Sequence, residues 1–146
     1  MGTCSSSHDE ERLPFNSPSR AKSGDRSVVY RSLATMIAPV HDITTLAQLD
    51  FYNNKNEGHL VVLDCHAKWC PPCIKIEPII NEWAQSAEYC DTVVFLKCDV
   101  DQGEELQHKY KVESLPTFIY FKHGKEIHRL VGANVRRLKQ DIDIFR

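Results

Sequence analysis

Lys68-Trp69-Cys70-Pro71-Pro72-Cys73 places two cysteines two residues apart, at the junction of two unlike patterns. Before it, residues 60–65 form a nearly unbroken apolar run, which is typical of a central strand covered on both faces. After it, residues 74–89 follow a helical pattern. Strand, C-x-x-C and helix in this order indicate a redox site. If the helix begins at Cys70, unpaired backbone N–H groups surround the Cys70 sulfur and favour its thiolate form. We therefore predict that Cys70 is the nucleophile. Cys73 is predicted to be its disulfide partner and to be less exposed.

Size and composition set limits on what the protein does. The chain has 146 residues, 42% of them apolar, and a formal net charge of −2, which suits one globular domain and offers no basic field for nucleic acid. No apolar run approaches the roughly 18 residues of a spanning helix, and the first residues lack the apolar stretch of a secretory signal. We therefore predict a cytoplasmic protein whose six cysteines are thiols or redox groups.

Residues 1–34 form a serine-rich stretch in which apolar residues are sparse, so we predict a disordered N-terminal extension before a domain of residues 35–146. Its first residues, Met1-Gly2-Thr3-Cys4-Ser5-Ser6, fit the N-myristoylation pattern at Gly2, and Cys4 is a candidate for palmitoylation. Two acyl chains would hold the protein at a membrane surface, whereas one binds only marginally. The alternative is that the chain begins Met-Gly by chance.

The remaining patterns predict the order β-α-β-α-β-α-β-β-α, an α/β sandwich of three layers with a central mixed sheet. The expected elements are a first strand at 36–40, a helix at 45–54 capped by Asp42 or Thr44, the strand at 60–65, the helix from the cysteines to 89 with Pro78 inside it, a strand at 92–98, a helix at 102–110, a hairpin of 118–121 and 127–131 around His123-Gly124, and a last helix at 133–145.

The chain from about residue 36 to 146 resembles the thioredoxin family. The residues that carry the resemblance are Val62-Leu63-Asp64 ahead of Trp69-Cys70, Pro78, Lys97 before Asp99-Val100-Asp101, Leu115-Pro116-Thr117 and Val131-Gly132-Ala133-Asn134. One departure is Pro71, which stands where the family usually has glycine; the resulting Trp-Cys-Pro-Pro-Cys resembles tryparedoxin and nucleoredoxin. Because Pro71 withholds one N–H from the surroundings of the Cys70 sulfur, we expect a redox potential unlike the family's usual one, of open sign.

The resemblance implies a thioredoxin fold and a thiol–disulfide oxidoreductase that reduces protein disulfides. Asp64 lies at a buried strand end six residues before Cys70, so it is the candidate base for Cys73, through water. Lys97 resembles the family lysine that faces this aspartate and tunes it. A cis Pro116, with the backbone of Leu115, is implied to receive an extended substrate. The implied docking surface is completed by Trp69, Pro71, Gly132 and Ala133, although Trp69 fits core packing equally well.

The resemblance also implies no bound cofactor, electrons from NADPH through thioredoxin reductase, and peroxiredoxins among the disulfide substrates. Two alternatives remain open: a tryparedoxin- or nucleoredoxin-like donor to a peroxidase, and a redox-gated binding module for a signalling partner. Zinc is disfavoured because a tetrahedral site needs two close ligand pairs, and the sequence holds one C-x-x-C.

Overall fold

The computed structural model describes residues 40–146; the predicted extension, with Gly2 and Cys4, lies outside them. The described residues form the predicted order of strands and helices. The strands are β1 (Val40–Asp42), β2 (Leu60–His66), β3 (Val93–Asp99), β4 (Thr117–Lys122) and β5 (Lys125–Val131). The helices are α1 (Leu46–Lys55), α2 (Pro71–Gln85), α3 (Glu104–Lys109) and α4 (Val135–Phe145).

The five strands form one mixed sheet in the order β1-β3-β2-β4-β5. β3 pairs parallel with β1 and β2, β4 runs antiparallel to β2, and β5 returns antiparallel to β4. The prediction of a sheet that is parallel at first and ends in a hairpin is confirmed. β2 is the central strand, and its first six residues are all buried, as its apolar sequence requires.

Helices cover both faces of the sheet, which confirms the three-layer sandwich. On one face, Leu49 of α1 and Leu106 of α3 pack into a core that includes Cys70 and Cys73. On the other, α2 and α4 contribute a second core through residues that include Ile76 and Ile142, which are at most 1% exposed. Burying each such side chain contributes roughly 2 kcal/mol.

Two boundaries at the start of the domain differ from the prediction. β1 spans Val40–Asp42 rather than 36–40, and positions 36–39 lie outside the described residues. The cap of α1 is Thr45, not Asp42 or Thr44. Thr45 accepts the N–H of Gln48 while the Gln48 side chain accepts the N–H of Thr45, so this capping box fixes the start of the helix.

Other helix ends differ from the predicted ones by a few residues. α2 stops at Gln85 instead of 89, because the chain turns at Ser86, whose N–H bonds to the Trp83 carbonyl. The predicted helix at 102–110 is shorter, and α4 starts at Val135 because Asn134 caps it by accepting the N–H of Arg137.

The hairpin turn is where sequence predicts it. His123 and Gly124 both have left-handed backbones, with φ of 51° and 74°, which matches the twist of two antiparallel strands. The resulting register places Thr117 opposite Val131, so the end of β5 lies beside the start of β4.

Candidate active site

Cys70 is the N-cap of α2, as the sequence predicts. Pro71 and Pro72 occupy the first two helical positions, where a missing N–H leaves no hydrogen bond of the helix unmade. The first amide of the turn is therefore that of Cys73, and it donates to the Cys70 sulfur at 3.4 Å. A sulfur in this position replaces the oxygen of an ordinary N-cap side chain.

Cys70 and Cys73 are joined by a disulfide, with their Cα atoms 5.3 Å apart. The expectation that Cys73 is less exposed is wrong as stated, since each residue is 4% exposed. The two differ in their surroundings instead. Cys70 lines one surface groove, together with Trp69 and Leu115, whereas Cys73 lines a second open cavity of about 500 Å³, together with Asp64.

Asp64 lies at the end of β2, 6% exposed, and lines the same cavity as Cys73. Burial, together with the nearby carboxylate of Glu77, raises the pKa of Asp64 from 3.8 to about 7, and the Lys97 ammonium opposes this shift. Among the described residues, its Oδ1 atom has no hydrogen-bond partner. A carboxyl group that titrates near neutral pH and opens onto a cavity can accept a proton from a neighbouring thiol.

Lys97 is the partner of Asp64 in the register of β2 and β3, so its backbone stands where the sequence places it. Its ammonium, however, is paired elsewhere. Nζ lies 3.3 Å from the Glu77 carboxylate and 3.7 Å from that of Asp42. Glu77 is therefore a charged neighbour of Asp64 that the sequence interpretation missed, although its position four residues after Cys73 indicates a shared helix face.

The substrate side of the site is built around a cis peptide bond between Leu115 and Pro116, as the resemblance implies. The carbonyl of Pro116 accepts the N–H of Gly132 at 2.8 Å, which ties the end of β5 to this turn. Gly132 has φ of 99°, a left-handed backbone that favours glycine. Gly132 and Ala133 flank the cis turn and are not among the residues that line the groove at Cys70.

Trp69 is 67% exposed, so core packing is wrong for this side chain. Its indole N–H donates to the carboxylate of Asp101 at 2.8 Å. Asp101 lies 32 residues away in sequence, and the sequence interpretation did not predict its contact with Trp69. The groove beside the indole is lined by Cys70, Pro71 and Leu115, among others. An apolar groove at a reactive sulfur suits a peptide segment that carries a disulfide.

Two further thiols lie in the sheet. Cys65 and Cys98 are register partners on β2 and β3, each 1% exposed and not disulfide-bonded. Burial raises the pKa of both, that of Cys98 to about 11, so they stay protonated at neutral pH. Within residues 40–146, no three His, Cys, Asp or Glu side chains are placed to hold a metal ion, and no helix is long and apolar enough to cross a membrane.

Comparison with known proteins agrees with this geometry. A family model described as Thioredoxin matches residues 41–144. Thioredoxin H2-2 of Oryza sativa subsp. japonica is 37% identical over 109 residues, which cover 75% of this chain and 79% of the relative. Thioredoxin-2 of Saccharomyces cerevisiae is 46% identical over 83 residues, 57% of this chain and 77% of the relative. The X-ray structure of Fasciola hepatica thioredoxin superposes with a TM-score of 0.69 at 40% identity, covering 73% of this chain and 99% of that one.

Proposed function

This chain belongs to the thioredoxin family and is a thiol–disulfide oxidoreductase, and on that premise we propose how its residues divide the reaction. Cys70 is the attacking sulfur and Cys73 the resolving one. The observation that carries this assignment is the position of the Cys70 sulfur at the cap of α2, on the groove side, with Cys73 on the cavity side. The groove borders the exposed Trp69 indole, so we expect a bulky substrate to dock on that side and to meet the Cys70 sulfur.

The first step is an exchange of disulfides. The Cys70 thiolate attacks one sulfur of a substrate disulfide, a Cys70–substrate disulfide forms, and the other substrate sulfur leaves as a thiolate that takes a proton from water. The amide of Cys73 and the N-terminus of α2 stabilise the negative sulfur before the attack. The cis turn at Leu115 offers an adjacent backbone edge to an extended substrate.

The second step releases the reduced substrate. We assign Asp64 as the base: its carboxylate accepts the proton of the Cys73 thiol, through water in the cavity that both residues line. The Cys73 thiolate then attacks the Cys70 sulfur, the Cys70–Cys73 disulfide forms, and the substrate leaves with two electrons more than it brought. A base with a pKa of about 7 is half ionised at neutral pH, and Lys97 is assigned to tune it.

Docking is assigned to the exposed apolar residues around the sulfur. Trp69 and Pro71 form one wall of the groove and Leu115 another. Gly132 and Ala133 extend this surface on the other side of the cis Pro116, where the Gly132 N–H is bonded to the turn. A shallow surface with few fixed polar contacts suits many protein substrates rather than one.

Trapping tests the assignment of the two cysteines. In a Cys73→Ser variant the second step is blocked, so substrates should stay linked to Cys70 and be released by added dithiol. The matched control is Cys98→Ser, which removes a buried thiol outside the reaction and should trap nothing. Substrates held through residue 73 in a Cys70→Ser variant, at the level seen with Cys73→Ser, would reverse the assignment.

The family is reduced by thioredoxin reductase and acts on proteins that contain disulfides. We propose NADPH as the electron source behind that reductase, and peroxiredoxins among the substrates. The comparisons do not favour a dedicated peroxidase donor or a redox-gated binding module. Reduction of insulin disulfides with NADPH and a thioredoxin reductase is the direct assay. Binding of a partner that persists without either cysteine would support the module instead.

We also propose that the protein acts in the cytoplasm and that residues 1–34 are a disordered extension to the domain of residues 35–146. The acylation of Gly2 and Cys4 stays a prediction from the sequence pattern. Incubation of the full chain with an N-myristoyltransferase and a labelled acyl donor tests it, with Gly2→Ala as the control. A full chain that takes up no more label than the control would end the proposal of a membrane-surface association.

A further inference from the structure

We propose that Glu77 is a positioning residue for the release step: its carboxylate holds the Lys97 ammonium at the α2 side of the cavity and so keeps it from pairing with Asp64. The proposal rests on the assignment of Asp64 as the base, and its test separates the two. Glu77 touches neither substrate nor sulfur in this role, and acts through Lys97.

The geometry shows a competition between carboxylates for one ammonium. Asp64 and Lys97 are cross-strand partners on β2 and β3, on the sheet face that α2 covers. Nζ of Lys97 nevertheless lies 3.3 Å from Glu77 and 3.7 Å from Asp42, and the described residues offer Asp64 no ion pair within 4 Å. Of the carboxyl groups of Asp64, Glu77 and Asp42, that of Asp64 is the buried one, and it is also the one that does not pair with the Lys97 ammonium.

Glu77 is fixed to this position by α2. It follows Cys73 by four residues, one turn further from the helix start, and lines the same cavity as Cys73, Asp64 and Lys97. Its side chain is 48% exposed and that of Asp42 is 77% exposed, so Glu77 is the better shielded of the two partners of Lys97. The ion pair itself contributes little to stability, about 0–1 kcal/mol.

The effect on Asp64 is larger because Asp64 is buried, where charges are poorly screened. The Glu77 carboxylate disfavours the ionised form of Asp64 directly. By holding the Lys97 ammonium it also keeps that cation from a direct ion pair with Asp64, which would favour the ionised form more strongly. Both effects raise the pKa of Asp64. Removing the Glu77 charge should therefore make Asp64 a stronger acid and a weaker base.

The other groups around Asp64 do not replace Glu77. β3 contributes Lys97 and the Cys98 thiol, α2 contributes Cys73 and Glu77, and β4 faces it with the apolar Phe118. The nearest groups on β2 itself are the Cys65 thiol and His66, whose pKa is lowered by burial. Asp99 and Asp42 are the remaining charges that line the cavity near its rim, with Lys68.

The test is the titration of the Asp64 carboxyl carbon by NMR in the oxidised full chain. In Glu77→Gln the midpoint should fall by about half a pH unit or more. The matched control is Glu82→Gln, an exposed glutamate on the same helix that lines neither the cavity nor the groove, and it should leave the midpoint unchanged. In a Lys97→Gln background, the effect of Glu77→Gln should shrink, because the cation that Glu77 positions is gone.

Two results would overturn the proposal: an Asp64 midpoint in Glu77→Gln that matches the Glu82→Gln control, or a Glu77→Gln shift of equal size with and without Lys97. A separate readout addresses Asp64. The rate at which a peptide leaves its mixed disulfide with Cys70 is measured against pH, and in Glu77→Gln its midpoint should move with that of Asp64. If the Asp64 titration moves and the release profile does not, Glu77 controls the Lys97 ammonium, but another group is the base and the role of Glu77 in release is refuted.

Discussion

The amide of Cys73 donates to the sulfur of Cys70 across the first turn of α2, at 3.4 Å. No other amide N–H lies between the two cysteines, because Pro71 and Pro72 carry none. The nucleophile is thus stabilised by one amide and by the end of the helix. Thioredoxins with glycine in place of Pro71 have one N–H more in the same turn.

Pro71→Ala restores this N–H without the flexibility of glycine. The added donor should lower the pKa of the Cys70 thiol in the reduced protein, since a charge at a helix N-terminus gains about 0.3–1 kcal/mol. Because the reduced form is stabilised, the redox potential should become less negative by about 6–20 mV. The thiol is followed by its alkylation rate against pH, and the potential by equilibration with glutathione.

The control for this change is Pro78→Ala, which adds an N–H to the same helix about two turns from the sulfur. Pro78→Ala should leave the pKa of the Cys70 thiol and the redox potential unchanged. A potential in Pro71→Ala that equals that of the parent would show that the missing N–H at Pro71 does not set the potential.

Asp64 makes folding stability depend on pH. Its carboxyl group ionises near 3.8 in the unfolded chain and near 7 in the folded one. Between these values the folded state holds a proton that the unfolded state has lost, so stability falls as pH rises through this interval and stays lower above it. Asp64→Asn should remove this penalty, which is at most roughly 4 kcal/mol at about 1.4 kcal/mol per pH unit.

Urea unfolding at a series of pH values measures this effect. Asp64→Asn and the parent should have similar stability near pH 4, and the variant should be the more stable one at pH 8. Asp91→Asn, an exposed carboxylate in the turn before β3, is the control and should change nothing. A stability difference between Asp64→Asn and the parent that does not grow with pH would show that Asp64 is not held protonated.

The hydrogen bond between Trp69 and Asp101 should matter for substrate binding rather than for chemistry. The indole is 67% exposed and this bond orients it over the groove. Asp101→Ala should therefore raise KM for insulin about two- to tenfold, the equivalent of one hydrogen bond, while kcat changes little. Asp91→Ala serves as the control. A fall in kcat at constant KM would place Asp101 in the reaction itself.

Gly103 packs directly against the sulfur of Cys98, and a Cβ at position 103 would collide with that atom. Its backbone, with φ of −103°, accepts alanine, so the main obstacle is the sulfur. Gly103→Ala should cost about 1–3 kcal/mol of unfolding free energy. In a Cys98→Ala background the cost should largely disappear, which urea unfolding of the double-mutant cycle measures. Strictly additive costs would contradict this contact.

Local patterns predicted what is decided locally. The apolar run at 60–65, the helical pattern that follows the two cysteines and the His123-Gly124 turn each restrict the chain locally, and the structure has a strand, a helix start and a hairpin there. The first helix cap was wrong because three polar residues compete within four positions. Thr45 is the one whose partner, Gln48, stands three residues on.

The contacts that were missed join distant segments. Lys97 meets Glu77 from α2 and Asp42 from β1, and no spacing within one element shows that an ammonium turns toward these carboxylates and away from its cross-strand neighbour. The bond from Trp69 to Asp101 likewise spans two loops. Such choices depend on how elements pack, and sequence periodicity carries no information about them.

The two-residue hairpin has a practical consequence. β4 runs antiparallel to β2, with Thr117 opposite Cys65 and Phe121 opposite Val61, so the His123-Gly124 turn lies at the pole of the sheet opposite the disulfide, about 20 Å of strand away. An affinity tag or fluorescent reporter inserted at this exposed turn would leave the end of the sheet at the disulfide unobstructed. The immobilised protein could then be used to capture its substrate proteins.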